Sequence, residues 1–354
     1  MPPQKILLIR LSAIGDILLA TPLLRALRTQ FPEARLDFVV KAEFADVLRH
    51  HPAVGTLYEV NTKNGLPELQ ALGRRLREMR YDVVFDIHKN FRSRYLAYVA
   101  KPQQLFQYHK HVVRRWLLVH TKINLMRSVP PIYRRYWAAA MPLGVPPLSP
   151  LAGGRWSELF WREQEEREAD FAILAHNWEA GLPLIGLAPG AGYFTKRWPA
   201  EYFGQLAANI IRRNRQVVIL GGAQEIALAK QIEQTVESIM GRREKIINLT
   251  GALSLLGSAA TIKRCQLLVA NDSGLMHVAE AVGTPLLAVF GSTTAELGFF
   301  PQLPSSRVIE NASLSCRPCS HLGYAQCPAG HFRCMREILP DQVWAMAQEM
   351  MRKT

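Results

Sequence analysis

The chain has 354 residues, of which 49% are hydrophobic and 20% charged, and it carries a formal net charge of +14. This length favours two domains, and the composition is that of a globular protein rather than a disordered one. No apolar run reaches the roughly 20 residues that a membrane span needs, and the first strand begins without a preceding signal peptide, so we expect a cytoplasmic protein.

Buried strands alternate with helices through the first part of the chain. We predict strands at residues 5–11, 35–41, 57–60 and 81–88, and helices at 14–31, 43–50 and 67–79. Apolar strands separated by helices are typical of a parallel sheet with both faces covered. Residues 101–135 are basic and irregular, and the proline- and glycine-rich stretch 142–157 is predicted to be a loop.

A second alternating series follows a charged helix predicted at 158–178. Its predicted strands are 184–188, 216–222 and 245–249, its helices are 200–213, 224–240 and 254–264, and a strand, turn, helix and strand occupy 266–292. We therefore divide the chain into a domain at 1–165, a domain at 166–339 and a C-terminal helix at 340–354. In such sheets, ligands bind where the strands end and the helices begin.

The most informative turn is Asn271-Asp272-Ser273-Gly274, between a buried strand and a helix. Unpaired backbone N–H groups and the helix dipole make such a turn an anion site, which suits a diphosphate. His277 lies one helical turn further on, on the same face. The alternative is plain helix capping, because Asp and Ser are good N-cap residues.

Three other strand ends carry polar residues. Asp16 begins the helix after the first strand, where an ionised carboxylate could accept a proton from an attacking hydroxyl. The small residues Gly190-Ala191-Gly192, which follow the strand 184–188, could cradle a ligand. Lys196 or Arg197, later in the same loop, would bring positive charge to a phosphate. Glu225, in the first turn after Gly221-Gly222, could bind ribose hydroxyls. Each of these residues could also serve only as a helix cap or a surface group.

Positive charge is concentrated between residues 70 and 137, which hold fifteen Lys and Arg but three acidic residues. Tyrosines and tryptophans are interleaved among them. Such a surface can attract nucleic acid, anionic lipid headgroups or a phosphorylated saccharide. Charge alone does not choose among these partners.

The cysteines form two groups. Cys265 ends a predicted helix and is expected to be a core residue. The other four, Cys316, Cys319, Cys327 and Cys334, cluster near the end of the chain. Because a cytosolic chain seldom keeps disulfides, a structural zinc ion or reduced thiols are favoured over a disulfide.

Three segments resemble the bacterial glycosyltransferases of family 9, the ADP-heptose:lipopolysaccharide heptosyltransferases. They are IRLSAIGDILLATPLLRALR near the start, PGAGYFTKRWP in the middle and VANDSGLMHVAEAVGTPLLAVFGST near the end, and the cysteine-rich tail is also similar to many members. The resemblance covers nearly the whole chain. It implies an α/β protein of the GT-B type, in which two Rossmann-like, doubly wound parallel-sheet domains face each other across a cleft.

The resemblance also implies roles for individual residues. Asp16 would be the general base that deprotonates the acceptor hydroxyl, and Lys196 would neutralise the donor phosphate or contact the sugar. The donor would be held by Gly190, Lys196, Glu225, Asp272, Ser273, Gly274 and His277, with Glu225 on the ribose. The basic N-terminal domain would bind the acceptor, with Lys63, Arg92 and Arg94 as the expected contacts.

The family inverts the anomeric centre by direct displacement, without a covalent enzyme intermediate or a catalytic metal or cofactor. The expected partners are ADP-heptose or another nucleotide sugar and a phosphorylated lipopolysaccharide core acceptor on lipid A, met peripherally at the cytoplasmic face of the inner membrane. One departure is Ala191-Gly192, where some members place a polar pair before the lysine.

Two enzymatic alternatives stand beside this interpretation. One is a family 9 transferase with a different nucleotide-sugar donor, and the other is a nucleotide-sugar epimerase of similar architecture. The turn at Asp16 suits a transferase better. The sequence lacks the aromatic motifs of RNA-binding modules, so no nucleic-acid partner is expected.

Overall fold

The computed structural model describes residues 1–176, 178–179 and 181–353. They divide into two compact units. The first unit comprises Met1–His111, Pro130–Leu151 and Trp156–Phe160; the second comprises Val112–Val129, Ala152–Arg155 and the described chain from Trp161 onwards. In the part of the chain that is described, no helix is both long enough and apolar enough to cross a membrane.

The first unit is built on a five-stranded parallel sheet. Its strands are β1 (Lys5–Ile9), β2 (Arg35–Lys41), β3 (Leu57–Val60), β4 (Val83–Asp86) and β5 (Gln104–Gln107), in the order β3-β2-β1-β4-β5. Its helices are α1 (Ile14–Leu18), α2 (Thr21–Gln30), α3 (Gly65–Glu78), α4 (Phe91–Ala100) and α6 (Ile132–Ala138). The central strand β1 is buried along nearly its whole length, as a strand with neighbours on both sides and helices on both faces must be.

The helix predicted at 14–31 is interrupted. The first helix α1 ends at Leu18, and α2 begins at Thr21 with Pro22 in its first turn. Proline has no N–H to continue the helical ladder, but it is tolerated in a first turn. The Thr21 hydroxyl donates to the carbonyl of Leu18 over 2.7 Å and so gives this carbonyl a hydrogen-bond partner where the helix is broken.

The second unit is built on a six-stranded parallel sheet. Its strands are β6 (Leu184–Ala188), β7 (Gln216–Ile219), β8 (Ile246–Asn248), β9 (Leu267–Asn271), β10 (Leu286–Phe290) and β11 (Arg307–Glu310), in the order β11-β10-β9-β6-β7-β8. Its helices are α5 (Val112–Thr121), α7 (Glu163–Leu174), α8 (Ala200–Ile211), α9 (Ile226–Met240), α10 (Leu255–Arg264), α11 (Gly274–Val282), α12 (Arg333–Arg336) and α13 (Pro340–Lys353). Short 3-10 helices lie at Ala42–Val47, Thr62–Asn64, Met141–Leu143, Ala152–Gly154, Phe194–Lys196, Ala223–Glu225 and Ala295–Leu297 across the two units.

The C-terminal segment is part of the core of the second unit. Met335 and Ile338 are buried with the strands and α8, and α13 contributes Val343 to the same cluster. The indole N–H of Trp198 donates to the carbonyl of Ile338 over 2.9 Å. Cys265 is buried at the end of α10, as predicted, and burial raises its pKa to about 12.

Two further sequence predictions need correction. The segment 101–135 was expected to be irregular but contains β5, α5 and the start of α6. The helix predicted at 158–178 is the shorter α7, which begins after Arg162, where the Glu165 carboxylate accepts a hydrogen bond from the backbone N–H of Arg162. Asn177, at the end of that prediction, lies outside the described residues.

Candidate active site

Each sheet has a switch point, where the chain leaves a central strand first to one side and later to the other. In the first unit this point lies between β1 and β4, and in the second it lies between β6 and β9. Ligands of open α/β sheets bind at the carboxyl ends of the strands at such points. Asp16 follows β1, and Lys196 and Asp272 follow β6 and β9. The predicted residues therefore occupy the switch points of the two units.

In the first unit, Asp16 lies in the first turn of α1 and is held on both carboxylate oxygens. Arg10 Nη2 lies 2.6 Å from Asp16 Oδ2, and the Tyr136 hydroxyl donates to Asp16 Oδ1 over 3.0 Å. The Arg10 guanidinium is buried and also donates to the carbonyl of Ile87 over 2.8 Å. Burial raises the pKa of Tyr136 well above its usual value, so its hydroxyl remains a donor at neutral pH.

His88 also belongs to this cluster, although the sequence analysis gave it no role. It follows β4, and burial together with the neighbouring Arg10 lowers its pKa to about 3. The imidazole is therefore neutral at physiological pH. Its Nδ1 atom is buried and finds no hydrogen-bond partner among the described residues. Its position just after a buried strand was the one signal that could have identified it.

In the second unit, Lys196 and Asp272 form an ion pair. Lys196 Nζ lies 2.7 Å from Asp272 Oδ2, and the Thr293 hydroxyl donates to the same oxygen over 2.7 Å. Both charged side chains are mostly buried, at 16% and 7% exposure. The ammonium group is thus fixed at the carboxyl ends of β6 and β9, where an anionic ligand would be bound.

The loop after β6 is fixed by two further contacts. Arg197 Nε donates to the carbonyl of Ala191 over 2.8 Å, so this side chain supports the loop itself. Buried Asn271 donates to the carbonyl of Pro189 over 2.7 Å and accepts from the backbone N–H of Trp198 over 3.0 Å. Of the two basic residues considered from the sequence, Lys196 is therefore the one paired with the polar group at the end of β9.

The N-terminus of α11 has an unused polar side chain. Ser273 is the N-cap residue, yet its side chain makes no capping hydrogen bond, and its buried Oγ has no partner in the described chain. Plain capping therefore does not explain this serine. His277 is buried one turn later, and its Nδ1 lies 3.5 Å from Glu280 Oε2. The buried hydroxyl of Ser292, after β10, is likewise unpartnered among these residues and was missed from the sequence.

Glu225 occupies the space that Gly190 leaves open. A Cβ atom at Gly190 would lie 2.7 Å from Glu225 Cγ, and one at Gly221 would lie 2.8 Å from Glu225 Cβ. The Glu225 carboxylate accepts from the backbone N–H of Gly222 over 2.8 Å. Gly190 is thus needed for close packing against a carboxylate that joins the ends of β6 and β7.

The predicted acceptor residues all lie in the first unit and are exposed. Lys63 lies in the turn Thr62–Asn64, and Arg92 and Arg94 lie in the first turn of α4. The helix is fixed there by Asn90, whose side chain accepts from the backbone N–H of Ser93 over 2.8 Å. The role of Lys63, Arg92 and Arg94 in binding an acceptor stays a prediction.

The predicted zinc site at Cys316, Cys319, Cys327 and Cys334 is not formed in this structure. All five cysteines are free thiols, and within the described residues no group of three or more His, Cys, Asp or Glu is placed to hold a metal ion. Cys334 packs in the apolar core of the second unit, where burial raises its pKa to about 12. Cys316 Sγ lies 3.9 Å from His331 Nε2.

Two Rossmann-like parallel-sheet units with polar groups at their switch points are the architecture of the GT-B class. The family model of glycosyltransferase family 9 (heptosyltransferase) matches residues 69–329. The chain belongs to this family. Family membership sets aside the epimerase interpretation.

Individual relatives align with this chain along most or nearly all of its length. The lipopolysaccharide heptosyltransferase 2 of Salmonella typhimurium is 30% identical over 313 residues, which is 86% of this chain and 88% of that protein. The lipooligosaccharide heptosyltransferase 2 of Haemophilus influenzae is 26% identical over 99% of this chain and all of its own. Among solved structures, the Escherichia coli ADP-heptose LPS heptosyltransferase II has a TM-score of 0.76 at 26% identity, with 99% of both chains covered. A family 9 glycosyltransferase from Veillonella parvula has a TM-score of 0.82 at 23% identity, covering 99% of this chain and 98% of that one.

Proposed function

We propose that this protein transfers a heptose from ADP-heptose to the inner core of lipopolysaccharide, with inversion and by direct displacement. The names of its relatives supply the donor and the acceptor class. The observation that carries the proposal is the lysine held at the carboxyl ends of β6 and β9, beside a helix N-terminus with an unused serine hydroxyl. These are the groups that a diphosphate requires.

The donor would be held by the second unit. The N-terminus of α11 and the Ser273 hydroxyl would bind the diphosphate, and Lys196 would stabilise the negative charge that grows on it as the bond to the sugar breaks. Asp272 keeps the ammonium group in place. Glu225, fixed by Gly222, would accept hydrogen bonds from the ribose hydroxyls. Gly274 and His277 complete the predicted donor set.

The base would be Asp16. The acceptor hydroxyl gives its proton to the Asp16 carboxylate as its oxygen bonds to the anomeric carbon, and the bond from that carbon to the diphosphate oxygen breaks, which releases ADP. A carboxylate offers about four lone-pair sites. Arg10 and Tyr136 occupy one on each oxygen, so both oxygens keep a site for the acceptor. The ion pair with Arg10 fixes the direction of the carboxylate.

The neighbouring His88 is a weaker candidate for the base. Its imidazole is neutral, but its pKa of about 3 means that it holds a proton poorly near pH 7. Its unpartnered nitrogen could instead orient the acceptor hydroxyl. The acceptor's phosphate groups would meet Lys63, Arg92 and Arg94 at the cytoplasmic face of the inner membrane.

The donor assignment is tested by thermal stabilisation with ADP, UDP, GDP, CDP and their sugars. A ligand that binds the folded state raises the melting temperature by mass action. We expect the largest shifts with ADP and ADP-heptose. A shift with UDP or GDP instead would keep the transferase class but replace the donor, and no shift with any nucleotide would contradict the proposed pocket.

The base assignment is tested by Asp16→Asn and Asp16→Glu. We expect turnover to fall by about 10² to 10⁴ in Asp16→Asn, while ADP still stabilises the protein, because the proposed ADP contacts all lie in the second unit. Asp16→Glu keeps the charge beside Arg10 and controls for the unpaired guanidinium. Tyr136→Phe, which removes one hydrogen bond to the base, should lower turnover by a smaller factor. Full activity of Asp16→Asn would refute the assignment.

A further inference from the structure

The helix α5 presents an apolar face to solvent. Val112, Val113 and Trp116 are 57%, 71% and 53% exposed, and they share one side of the helix. Ile123 and Leu125, in the chain just after it, are exposed to a similar extent. A surface helix of a globular protein ordinarily turns its apolar side inward. This arrangement marks an interaction surface.

The same segment is firmly attached on its other side. Leu118 and Met126 are buried in a cluster with Leu297. Lys122 Nζ donates to the carbonyls of Cys316 over 3.0 Å and Pro318 over 2.7 Å. The outward apolar face is therefore presented by a segment whose inner side is packed on the second unit.

The segment that carries this face is basic. Residues 112–129 contain Arg114, Arg115, Lys122 and Arg127 but no aspartate or glutamate. A groove of about 320 Å³ is lined by Arg114, Asn124, Leu125, Arg127 and Ser128. Two exposed guanidinium groups with amide and hydroxyl groups beside them are suited to a phosphate. Glu296 is an acidic residue beside this groove: it accepts a hydrogen bond from Asn124 over 2.9 Å and interacts electrostatically with Arg127.

We propose that residues 112–129 dock the second unit on an anionic membrane surface. The apolar side chains of α5 enter the boundary between headgroups and acyl chains, and Arg114 and Arg127 hold the phosphate of an anionic phospholipid. The proposal rests on the proposed function, because a lipid-linked acceptor requires the enzyme to work at a membrane. Interfacial helices combine a basic polar side with Trp and aliphatic residues in this way.

Other partners fit the surface less well. A nucleic acid would use the arginines but would leave the aliphatic side chains of Val112 and Val113 exposed, and RNA modules stack bases on aromatic platforms. Free phosphate would fill the groove without covering the helix face. An anionic bilayer satisfies the charge and the apolar face together.

The test is co-sedimentation of the full chain with vesicles of phosphatidylcholine alone and with phosphatidylglycerol added. We expect binding to the anionic vesicles that weakens at high salt. Each basic residue near the membrane surface contributes about fivefold in affinity. The double variant Arg114→Gln/Arg127→Gln should therefore bind the anionic vesicles about 25-fold more weakly. Trp116→Ser should weaken binding to the same vesicles by removing the largest apolar side chain of the face.

Matched controls lie elsewhere on the second unit. Phe171→Ser removes an aromatic side chain that is 77% exposed on the acidic helix α7, and Arg212→Gln/Arg213→Gln removes two exposed arginines after α8. Both controls should bind vesicles like the unaltered protein. Equal losses in the controls, or full binding by both the tryptophan and the double arginine variants, would overturn the proposal.

Two further measurements separate the surface from the active site. Transfer to a deacylated, lipid-free acceptor should be unchanged in Trp116→Ser and in the double arginine variant; a loss there would assign the groove to the acceptor and overturn the docking role. Complete displacement from the vesicles by inorganic phosphate at constant ionic strength, together with full vesicle binding by Trp116→Ser, would indicate a phosphate site without membrane docking and would overturn the proposal. If the unaltered protein binds vesicles but transfers no heptose, the proposed function fails while the docking surface stands.

Discussion

The ion pair between Lys196 and Asp272 allows stability and function to be separated. Removing one partner of a buried pair costs about 3–5 kcal/mol, because the other charge is left without compensation. Lys196 retains 16% exposure, so we expect Lys196→Met to lower the free energy of unfolding by about 3 kcal/mol, at the lower end of that range. The Thr293 hydroxyl remains as a hydrogen-bond donor to the carboxylate and limits the loss.

The assay is a double-mutant cycle of Lys196→Met and Asp272→Asn, followed by urea unfolding. The double variant leaves no uncompensated charge and should regain most of the stability that Lys196→Met loses. Its activity should not recover. Loss of a charged hydrogen bond to the diphosphate, worth about 1.5–3 kcal/mol, predicts at least a tenfold weaker affinity for ADP in every variant that lacks the lysine.

Two different outcomes would contradict these expectations. If Lys196→Met unfolds at the same urea concentration as the unaltered protein, the ion pair does not contribute as its geometry indicates. If the double variant is stable and also binds ADP and transfers sugar normally, Lys196 is a structural residue and the donor site lies elsewhere.

Two further predictions concern single residues, the first through packing and the second through titration. Gly190→Ala should place a Cβ 2.7 Å from Glu225 Cγ, lower stability by about 1–3 kcal/mol and weaken ADP binding. At Gly192 no atom of the described residues lies within 4 Å of an added Cβ, so Gly192→Ala should resemble the unaltered protein in thermal melts with and without ADP. Burial lowers the pKa of His51 from 6.5 to about 4, so its imidazole binds a proton more readily in the unfolded state than in the folded state. This histidine contributes up to about 3 kcal/mol of stability above pH 6.5, and we expect that contribution to be lost as the pH falls toward 4. His51→Gln should flatten this part of the stability profile, and an unchanged slope would contradict the assignment.

Local patterns in the sequence were sufficient for much of the fold. Apolar strands of four to eight residues, most of them followed by a helix, predict parallel sheets, and the central strands of both sheets lie where they were expected. The break at Pro22 and the helices α4, α5 and α6 were missed. The break is a local effect of proline in a segment whose apolar periodicity is continuous, and α5 is a helix on which Val112, Val113 and Trp116 face solvent.

Local sequence pattern is enough to show which strand ends carry polar chemistry, because a strand, a polar turn and a helix are contiguous in the chain. It therefore identified Asp16, Lys196 and Asp272. What each of these residues contacts depends on the tertiary fold. Arg10 and Tyr136 are 126 residues apart in sequence and meet on one carboxylate, because β1 and α6 belong to the same unit. Such long-range pairings depend on strand order and side-chain packing, which local spacing does not encode.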